Sequence, residues 1–383
     1  MVPMLETLDI LALEPWFGGS HRAFLEAWQA RSQHSLEFRG LPDKQWKWRM
    51  RAGAWELARG LDRDQTPDLL FASDYLDLPS FLGHAPPRFA ELPRVVYFHE
   101  NQLTYPLSPG RQELERDSHY GFTNIQSCLV ADGLVFNSAF HLEDFSQAAF
   151  EFLRHLPRPS PRAELERALQ RAQVIAPGIE LENFALGSGA PPEAPLRVLY
   201  NHRFEHDKDP LSFLRALIAV REGGARFELV LLGESFKSRP EGCAECLETL
   251  EPTILRRGFA ASRSEYGRLL ESADVVVSTA RHEFFGISVL EAMAAGATPL
   301  LPDRLSYPEL VGPEASNEAL YADEADLCAR LRRLAAAPEL ARQPAQRGRW
   351  RNLASRWSAR ATASELDRFC LDISERKNSR MAP

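Results

Sequence analysis

Glu283 and Glu291 stand at either end of the core of an apolar segment, ARHEFFGISVLEAMAAGATPLLP, that runs from Ala280 to Pro302. Carboxylates are costly to bury unpaired, so each should meet water, a cation or the hydroxyls of a ligand. Asp274 to Thr279 reads as a strand, Arg281-His282-Glu283 as the loop at its carboxyl end, and Gly286 or Ile287 as the start of a helix. The first amides of such a helix are unpaired and lie at the positive end of its dipole, which suits a phosphate. Gly286 lets a ligand approach the backbone with no Cβ in the way, and Glu291, a turn further on, reaches a second portion of it. The plainer alternative is a buried helix with one capping and one solvated glutamate.

The stretch LYNHRFEHDKDP, Leu199 to Pro210, follows an apolar run and carries Arg203 and Lys208 in one loop. Two such cations suit a diphosphate, arginine as a planar fork and lysine as a mobile point charge. In the first half of the chain, polar residues gather at the ends of apolar runs. Gly18 and Gly19 form a turn able to approach a phosphate or sugar, with His21 at the start of the next helix. His99 and Asn101 end YFHENQ, Asp74 ends an earlier run, and Asn137 with Ser138 ends a later one. Of these, His21, Asp74, Asn101 and Asn137 are candidates for the acceptor side.

One stretch interleaves bases and aromatics: DKQWKWRMRAGAWELARG, Asp43 to Gly60. Lys44, Lys47, Arg49 and Arg51 alternating with Trp46 and Trp48 are able to hold phosphates and stack on exposed bases. The alternative is a solvated helix whose tryptophans belong to the core. Arg349, Arg351 and Arg356 around Trp350 and Trp357 form a second, weaker candidate.

Positioning these groups requires a particular kind of scaffold. TLDILALEP, PDLLFASDY, RVVYFHE and DGLVFNSAF are short apolar runs ending in polar loops, the pattern of fully buried parallel strands with functional groups at their carboxyl ends. RAQVIAPGIEL closes this series, and LGSGAPPEAP, Leu186 to Pro195, is the linker expected from its Gly and Pro content. A second series of alternating strand and helix patterns follows, including FELVLLGES and ILRRGFA, so both halves read as open α/β sheets. The boundaries expected are an acceptor-side domain over 1–188, a donor domain over 196–350, and a helical tail over 351–383 packing back on the first domain.

Composition narrows the class. The chain has 383 residues, 44% hydrophobic and 26% charged, enough for two ordinary globular domains. A net charge of −8 argues against a general nucleic-acid binder. The N-terminus has no basic region and places Glu6, Asp9 and Glu14 within its apolar run, which fits neither a signal peptide nor a membrane span. Five cysteines without framework spacing suggest a reducing cytoplasm, and Cys243-Ala-Glu-Cys246 reads as an incidental pair.

With these residues in place, the second half resembles the donor domain of the family 4 retaining glycosyltransferases of GT-B fold. Their Glu-x7-Glu motif matches Glu283 and Glu291, and their Arg-x4-Lys pair matches Arg203 and Lys208. The resemblance implies two Rossmann-like domains facing each other across a cleft. It implies that Glu283 holds donor-sugar hydroxyls and Glu291 the ribose. Arg203 and Lys208 would neutralise the leaving diphosphate beside the amides of Phe285, Gly286, Ile287 and Ser288, with the base packed near Gly258 and Phe259. LALEPWFGGSHRAF, YFHENQLTYP and GFTNIQSCLVADGLVFNSAFHLEDF resemble the glycosyltransferase-like proteins that mannosylate queuosine in transfer RNA. That resemblance implies GDP-mannose as co-substrate with no cofactor or metal, His99 beside the donor sugar, Gly18 and Gly19 on the donor, and the anticodon stem-loop of a queuosine tRNA as partner. Two alternatives stay open: a lipid or polysaccharide acceptor, and a catalytically silent nucleotide-sugar or RNA-binding module.

Overall fold

The computed structural model describes residues 7–62, 64–106, 118–233 and 240–381. They divide into two compact units, one holding the chain through Gly178 and again from Ala359, the other Ile179–Ser358.

In the first unit six parallel strands are β1 (Asp9–Glu14), β2 (Ser35–Gly40), β3 (Leu69–Ser73), β4 (Arg94–Phe98), β5 (Gly133–Phe136) and β6 (Gln173–Val174), in the order β2-β1-β3-β4-β5-β6. Successive side chains of a strand point to opposite faces, and β1 shows the consequence. Ile10 and Ala12 enter one core with Phe71 and Tyr97, while Leu11 and Leu13 enter the other with Leu70 and Val96. Both faces being covered, the strand is apolar from Ile10 to Leu13. The first face is covered by α1 (Gly19–Gln29) and the last helix, α16 (Ala359–Met381). The second is covered by α2 (Trp46–Arg59), α3 (Leu78–His84), α4 (Ser118–Val130), α5 (Ala139–Arg154) and α6 (Arg162–Leu169). Asp367 of α16 accepts from Trp28 Nε1 at 2.7 Å and Ser32 Oγ at 2.6 Å, and Lys377 reaches Asp132 at 2.7 Å. These bonds tie the C-terminal helix to the N-terminal sheet.

The second unit repeats the plan with β7 (Leu196–Asn201), β8 (Phe227–Leu232), β9 (Ile254–Arg257), β10 (Val275–Val277), β11 (Thr298–Pro302) and β12 (Leu320–Tyr321), ordered β12-β11-β10-β7-β8-β9 and parallel. Its helices are α7 (Pro210–Glu222), α8 (Cys243–Leu250), α9 (Arg263–Glu271), α10 (Ile287–Ala294), α11 (Tyr307–Val311), α12 (Ser316–Ala319), α13 (Glu324–Ala336), α14 (Glu339–Arg342) and α15 (Pro344–Ser355).

In open parallel sheets, ligands bind beyond the carboxyl ends of the strands where the winding direction reverses. That point lies between β1 and β3 in the first unit and between β7 and β10 in the second.

Three features differ from expectation. β2 carries one fully buried side chain, Leu36, so this edge strand lacks the apolar run by which its neighbours are legible. The Gly/Pro stretch is no linker but part of the second unit. Gly187 N donates to Ala295 O and Ala190 N to Asp274, and a Cβ on Gly187 would lie 2.1 Å from Glu271 O, so close backbone approach explains its composition. The chain passes between units at Gly178–Ile179 and Ser358–Ala359, and the long C-terminal helical stretch is broken into α15 and α16 at the second of these. All five cysteines are free thiols, Cys243 and Cys246 included. No described helix is long and apolar enough to cross a membrane.

Candidate active site

At the switch point of the second unit, two loops are bolted together. β7 ends in Asn201, and the following loop passes Arg203 before a short 3-10 helix, His206–Lys208. Beyond β10, the amides of Arg281 and His282 donate to Asp207 O at 2.8 and 3.2 Å, and Thr279 Oγ1 donates to the carbonyls of Lys208 and Asp209 at 3.0 and 2.9 Å. Lys208 Nζ crosses between the loops, 2.7 Å from His282 O, 3.3 Å from Glu283 Oε2 and 3.1 Å from Asp207 Oδ2. Burial works against its charge, yet Glu283 and Asp207 outweigh burial and hold the ammonium above its ordinary pKa. Glu283 and Asp207 are in turn held below the usual carboxylate range, burial opposing and Lys208 leading the terms that prevail. Buried His202 is driven down to about 4, first by burial and then by Lys208, so it is neutral at physiological pH. Arg203 is half exposed and pairs with Glu205 at 3.3 Å.

The helix expected at Gly286 or Ile287 begins at Ile287, with Gly286 as its N-cap at φ +103° and no side-chain cap. A Cβ there would meet both a strained backbone and the side chains of Leu310 and Tyr307 at 3.2 and 3.3 Å. The Phe285 amide donates to Glu283 Oε1 at 3.3 Å, whereas its ring is buried edge-on to Trp357 and contributes packing. Ile287 and Ser288 are partly exposed at the helix start. Glu291, one turn in, is already committed: Arg263 reaches Oε1 at 2.7 Å and Tyr266 donates to Oε2 at 2.5 Å, while Asn201 Nδ2 donates to Tyr266 and to Ser288 O. The glutamate therefore neither caps the helix nor stands in solvent. Gly258 takes φ +110° with open space around it, and Phe259 after it is 69% exposed.

The switch point of the first unit holds a buried cluster. Glu14, at the end of β1, accepts from Trp16 N at 2.8 Å and Ser73 Oγ at 2.9 Å and pairs with His21 Nδ1 at 3.0 Å. The His21 ring stacks on His99 with centroids 4.0 Å apart. Burial opposes the His21 charge, but Glu14 prevails and raises it to about 9. His99 is pushed well below the usual histidine range by burial, then by His21 and His141. The pair is a buried imidazolium lying on a neutral imidazole. Glu14, His21 and His99 bring ligand atoms within 4.8 Å of one another, but stacked rings and a carboxylate with three hydrogen bonds make an ion pair rather than a metal cage.

Among the remaining N-terminal candidates, Asp74, Asn101 and Asn137 are buried and bonded to the backbone of their own unit. Asp74 Oδ1 accepts from His99 N at 2.9 Å, and Asn137 Nδ2 donates to His99 O at 2.8 Å, so both orient the His99 peptide. Asn101 Oδ1 accepts from the amides of Leu103 and Thr104. A Cβ on Gly18 would lie 2.1 Å from Asp43 Oδ2, whereas Gly19, at φ +51°, faces open space. Lys44, just before α2, and Lys47 and Arg51 on it are exposed, but Arg49 is turned to Pro42 O and Glu56. The second basic candidate dissolves. Trp350 is buried with its Nε1 on Thr298, Arg351 serves the carbonyls of Phe184 and Ala294, and Arg349 and Arg356 pair with Glu318 and Glu314.

A family model described as tRNA-queuosine alpha-mannosyltransferase N-terminal matches residues 9–179, and one described as Glycosyl transferases group 1 matches residues 184–351. A tRNA-queuosine alpha-mannosyltransferase from Drosophila melanogaster is 36% identical over 314 residues, covering 80% of this chain and 82% of the relative. The chain belongs to the tRNA-queuosine alpha-mannosyltransferase family. Its membership makes it a glycosyltransferase, with the group 1 donor domain in the second unit. A GDP-mannose:cellobiosyl-diphosphopolyprenol alpha-mannosyltransferase from Xanthomonas campestris is 30% identical over 138 residues, 36% of each chain. The fold is α/β of GT-B class. Sucrose-phosphate synthase from Thermosynechococcus elongatus superposes with TM-score 0.69 over 94% of this chain and 98% of its own, at 17% identity. Glu283, Glu291, Arg203, Lys208 and His99, singled out from the sequence, stand at the two switch points, where they are joined by Glu14, Asn201, Asp207, Arg263 and Tyr266, which the sequence reading did not single out as site residues. Glu14 carried a signal, a carboxylate closing an apolar strand. Arg263 and Tyr266 carried only their three-residue spacing on a helix.

Proposed function

We propose that this protein transfers mannose, with retention, from GDP-mannose to the cyclopentenediol of queuosine at the wobble position of aspartate tRNA, in the cytoplasm. The observation that carries the reading is the family match over residues 9–179, which contains the Glu14–His21–His99 cluster. In the donor half, Lys208 and Arg203 with the α10 amides supply preorganised positive charge for the departing diphosphate, the role that dominates such a step. Glu283, fixed by Lys208, takes hydroxyls of the hexose, and Glu291 takes the ribose. His99, neutral, keeps the part that the family resemblance implies for it, beside the donor sugar. As the bond from C1 to the diphosphate oxygen breaks and the acceptor oxygen bonds to C1, the departing phosphate accepts the acceptor's proton. The reading needs no metal and no separate enzymic base.

Incubating the protein with GDP-mannose and queuosine-containing tRNA, then analysing nucleosides by mass spectrometry, is expected to show queuosine heavier by one hexose. Donor binding without that product would leave a glycosyltransferase whose acceptor lies elsewhere.

Tyr266 tests the ribose assignment. Tyr266→Phe removes the hydroxyl that aligns Glu291, and loss of a hydrogen bond to a charged group is expected to raise the KM for GDP-mannose about 10-fold, with kcat little changed. An unaltered KM in steady-state kinetics would detach Glu291 from the nucleotide.

A further inference from the structure

The tryptophans of α2 are not core. Trp48 is 56% exposed and Trp55 46% exposed, and only Trp46 is partly covered, against Tyr120. Positions 48, 51, 52, 55 and 59 recur at helical spacing, so Trp48, Arg51, Trp55 and Arg59 share one outer face. The inner face is occupied by Met50, Gly53, Ala54, Leu57 and Ala58. The Arg59 guanidinium stands 4.8 Å from the Trp55 ring. Asp43 to Gly60 carries five cations against two acids in a chain of net charge −8, and Arg49 with Glu56 cancels one of each.

The helix also adjoins the catalytic cluster of its own unit. Trp46 and Met50 pack with Tyr75, Tyr120 and Trp16, and Tyr75 lies edge-on to His21 with centroids 5.4 Å apart. An acceptor group near His99 therefore brings its flanking chain toward α2.

We propose that the outer face of α2, with Trp48 and Trp55 as its rings and Arg59 as its charge, flanked at the helix start by the exposed Lys44 and Lys47, is a stacking platform for unpaired bases flanking the acceptor nucleotide. This rests on the tRNA reading above. Every base has a face on which an indole stacks, but bases inside a duplex already have theirs covered, so the platform selects a single-stranded loop. Seven residues of helix separate the two rings by about 10 Å along the axis, too far for adjacent stacked bases, so each takes its own splayed base. A membrane is a poorer occupant, because binding there scales with buried apolar area and the remainder of this face is alanine and cations.

The test measures binding of the full chain to a stem-loop RNA and to a fully paired duplex of matched composition. The wild type is expected to prefer the stem-loop, and Trp48→Ala with Trp55→Ala to weaken it at least about 10-fold, with the melting temperature unchanged. Phenylalanine at both positions keeps a π face and should restore most of the affinity. Full stem-loop affinity in the double alanine variant would overturn the platform while leaving the mannosyl-transfer reading intact. Absence of RNA binding by the wild type would sink both. Tryptophan-dependent sedimentation with phosphatidylglycerol vesicles, beside unchanged RNA affinity in the variants, would assign the stripe to a membrane instead.

Discussion

Lys208→Ala is expected to lower mannosyl transfer by about a hundred- to a thousand-fold, the cost of removing one preorganised charge from a developing anion. The ammonium does two things at once. It presents positive charge at the end of β7, and it holds Glu283 and Asp207 within 3.3 and 3.1 Å of a common cation. Without it, buried Asp207 and partly buried Glu283 lose their common cation, and breaking a buried pair costs up to about 3–5 kcal/mol. The pH dependence has a definite sign. Glu283 and Asp207 are depressed in the folded state, so their contribution is present above the ordinary carboxylate range and is lost as pH falls through the folded values. Lys208 is raised, so its contribution is whole below the ordinary lysine range. The wild type should therefore lose stability in acid more steeply than Lys208→Ala. Denaturant unfolding separates this from catalysis, and single-turnover transfer by the folded variant measures the catalytic part. Near-wild-type turnover would take Lys208 out of the donor site.

The groups that meet at the second switch point were legible because they are encoded by short spacings. Arg203 and Lys208 fall in one loop and Glu283 in another, and a parallel sheet must bring the ends of its strands together. The sheet order decides which ends meet, and that order is not local. β7 and β10 are neighbours although more than 70 residues separate them, so Lys208 meeting Glu283 was inferable from family resemblance but not from the loop itself. The same gap hid Tyr266 and Arg263, whose partner Glu291 sits more than 20 residues away on another helix. Burial was the other limit. Asp74, Asn101 and Asn137 are polar residues at strand ends, the places where ligands are met, but all three are buried and hold the loop around His99 in shape. Sequence alone does not separate a polar group that touches a substrate from one that shapes the loop that does. In α2 two readings stood side by side, since tryptophan is usually core by composition, and only the helix register put Trp48 and Trp55 outside.

Glu14→Gln should separate charge from shape at the first switch point. Glutamine keeps an oxygen for Trp16 N–H and Ser73 Oγ–H, so the end of β1 retains its hydrogen bonds while the charge facing His21 disappears. Raising His21 from 6.5 to about 9 corresponds to about 3 kcal/mol of stability linked to its proton. A raised histidine contributes fully below its unfolded pKa and loses the contribution as pH climbs through the folded one. The stability gap between wild type and Glu14→Gln, read from urea unfolding, should therefore be widest near neutral pH and below and narrow as pH passes about 9. Asp74 and Glu100 also face His21 and favour its charge, so the imidazolium is weakened in the variant rather than left without anionic neighbours. A second consequence reaches His99, which burial, the His21 cation and His141 keep neutral. As the cation is weakened that term shrinks, so the His99 pKa rises and the acid limb of kcat/KM should move to higher pH. A pH-independent stability gap together with an unmoved acid limb would mean that His21 carries no proton from Glu14, and that His99 owes its neutrality to burial and His141 alone.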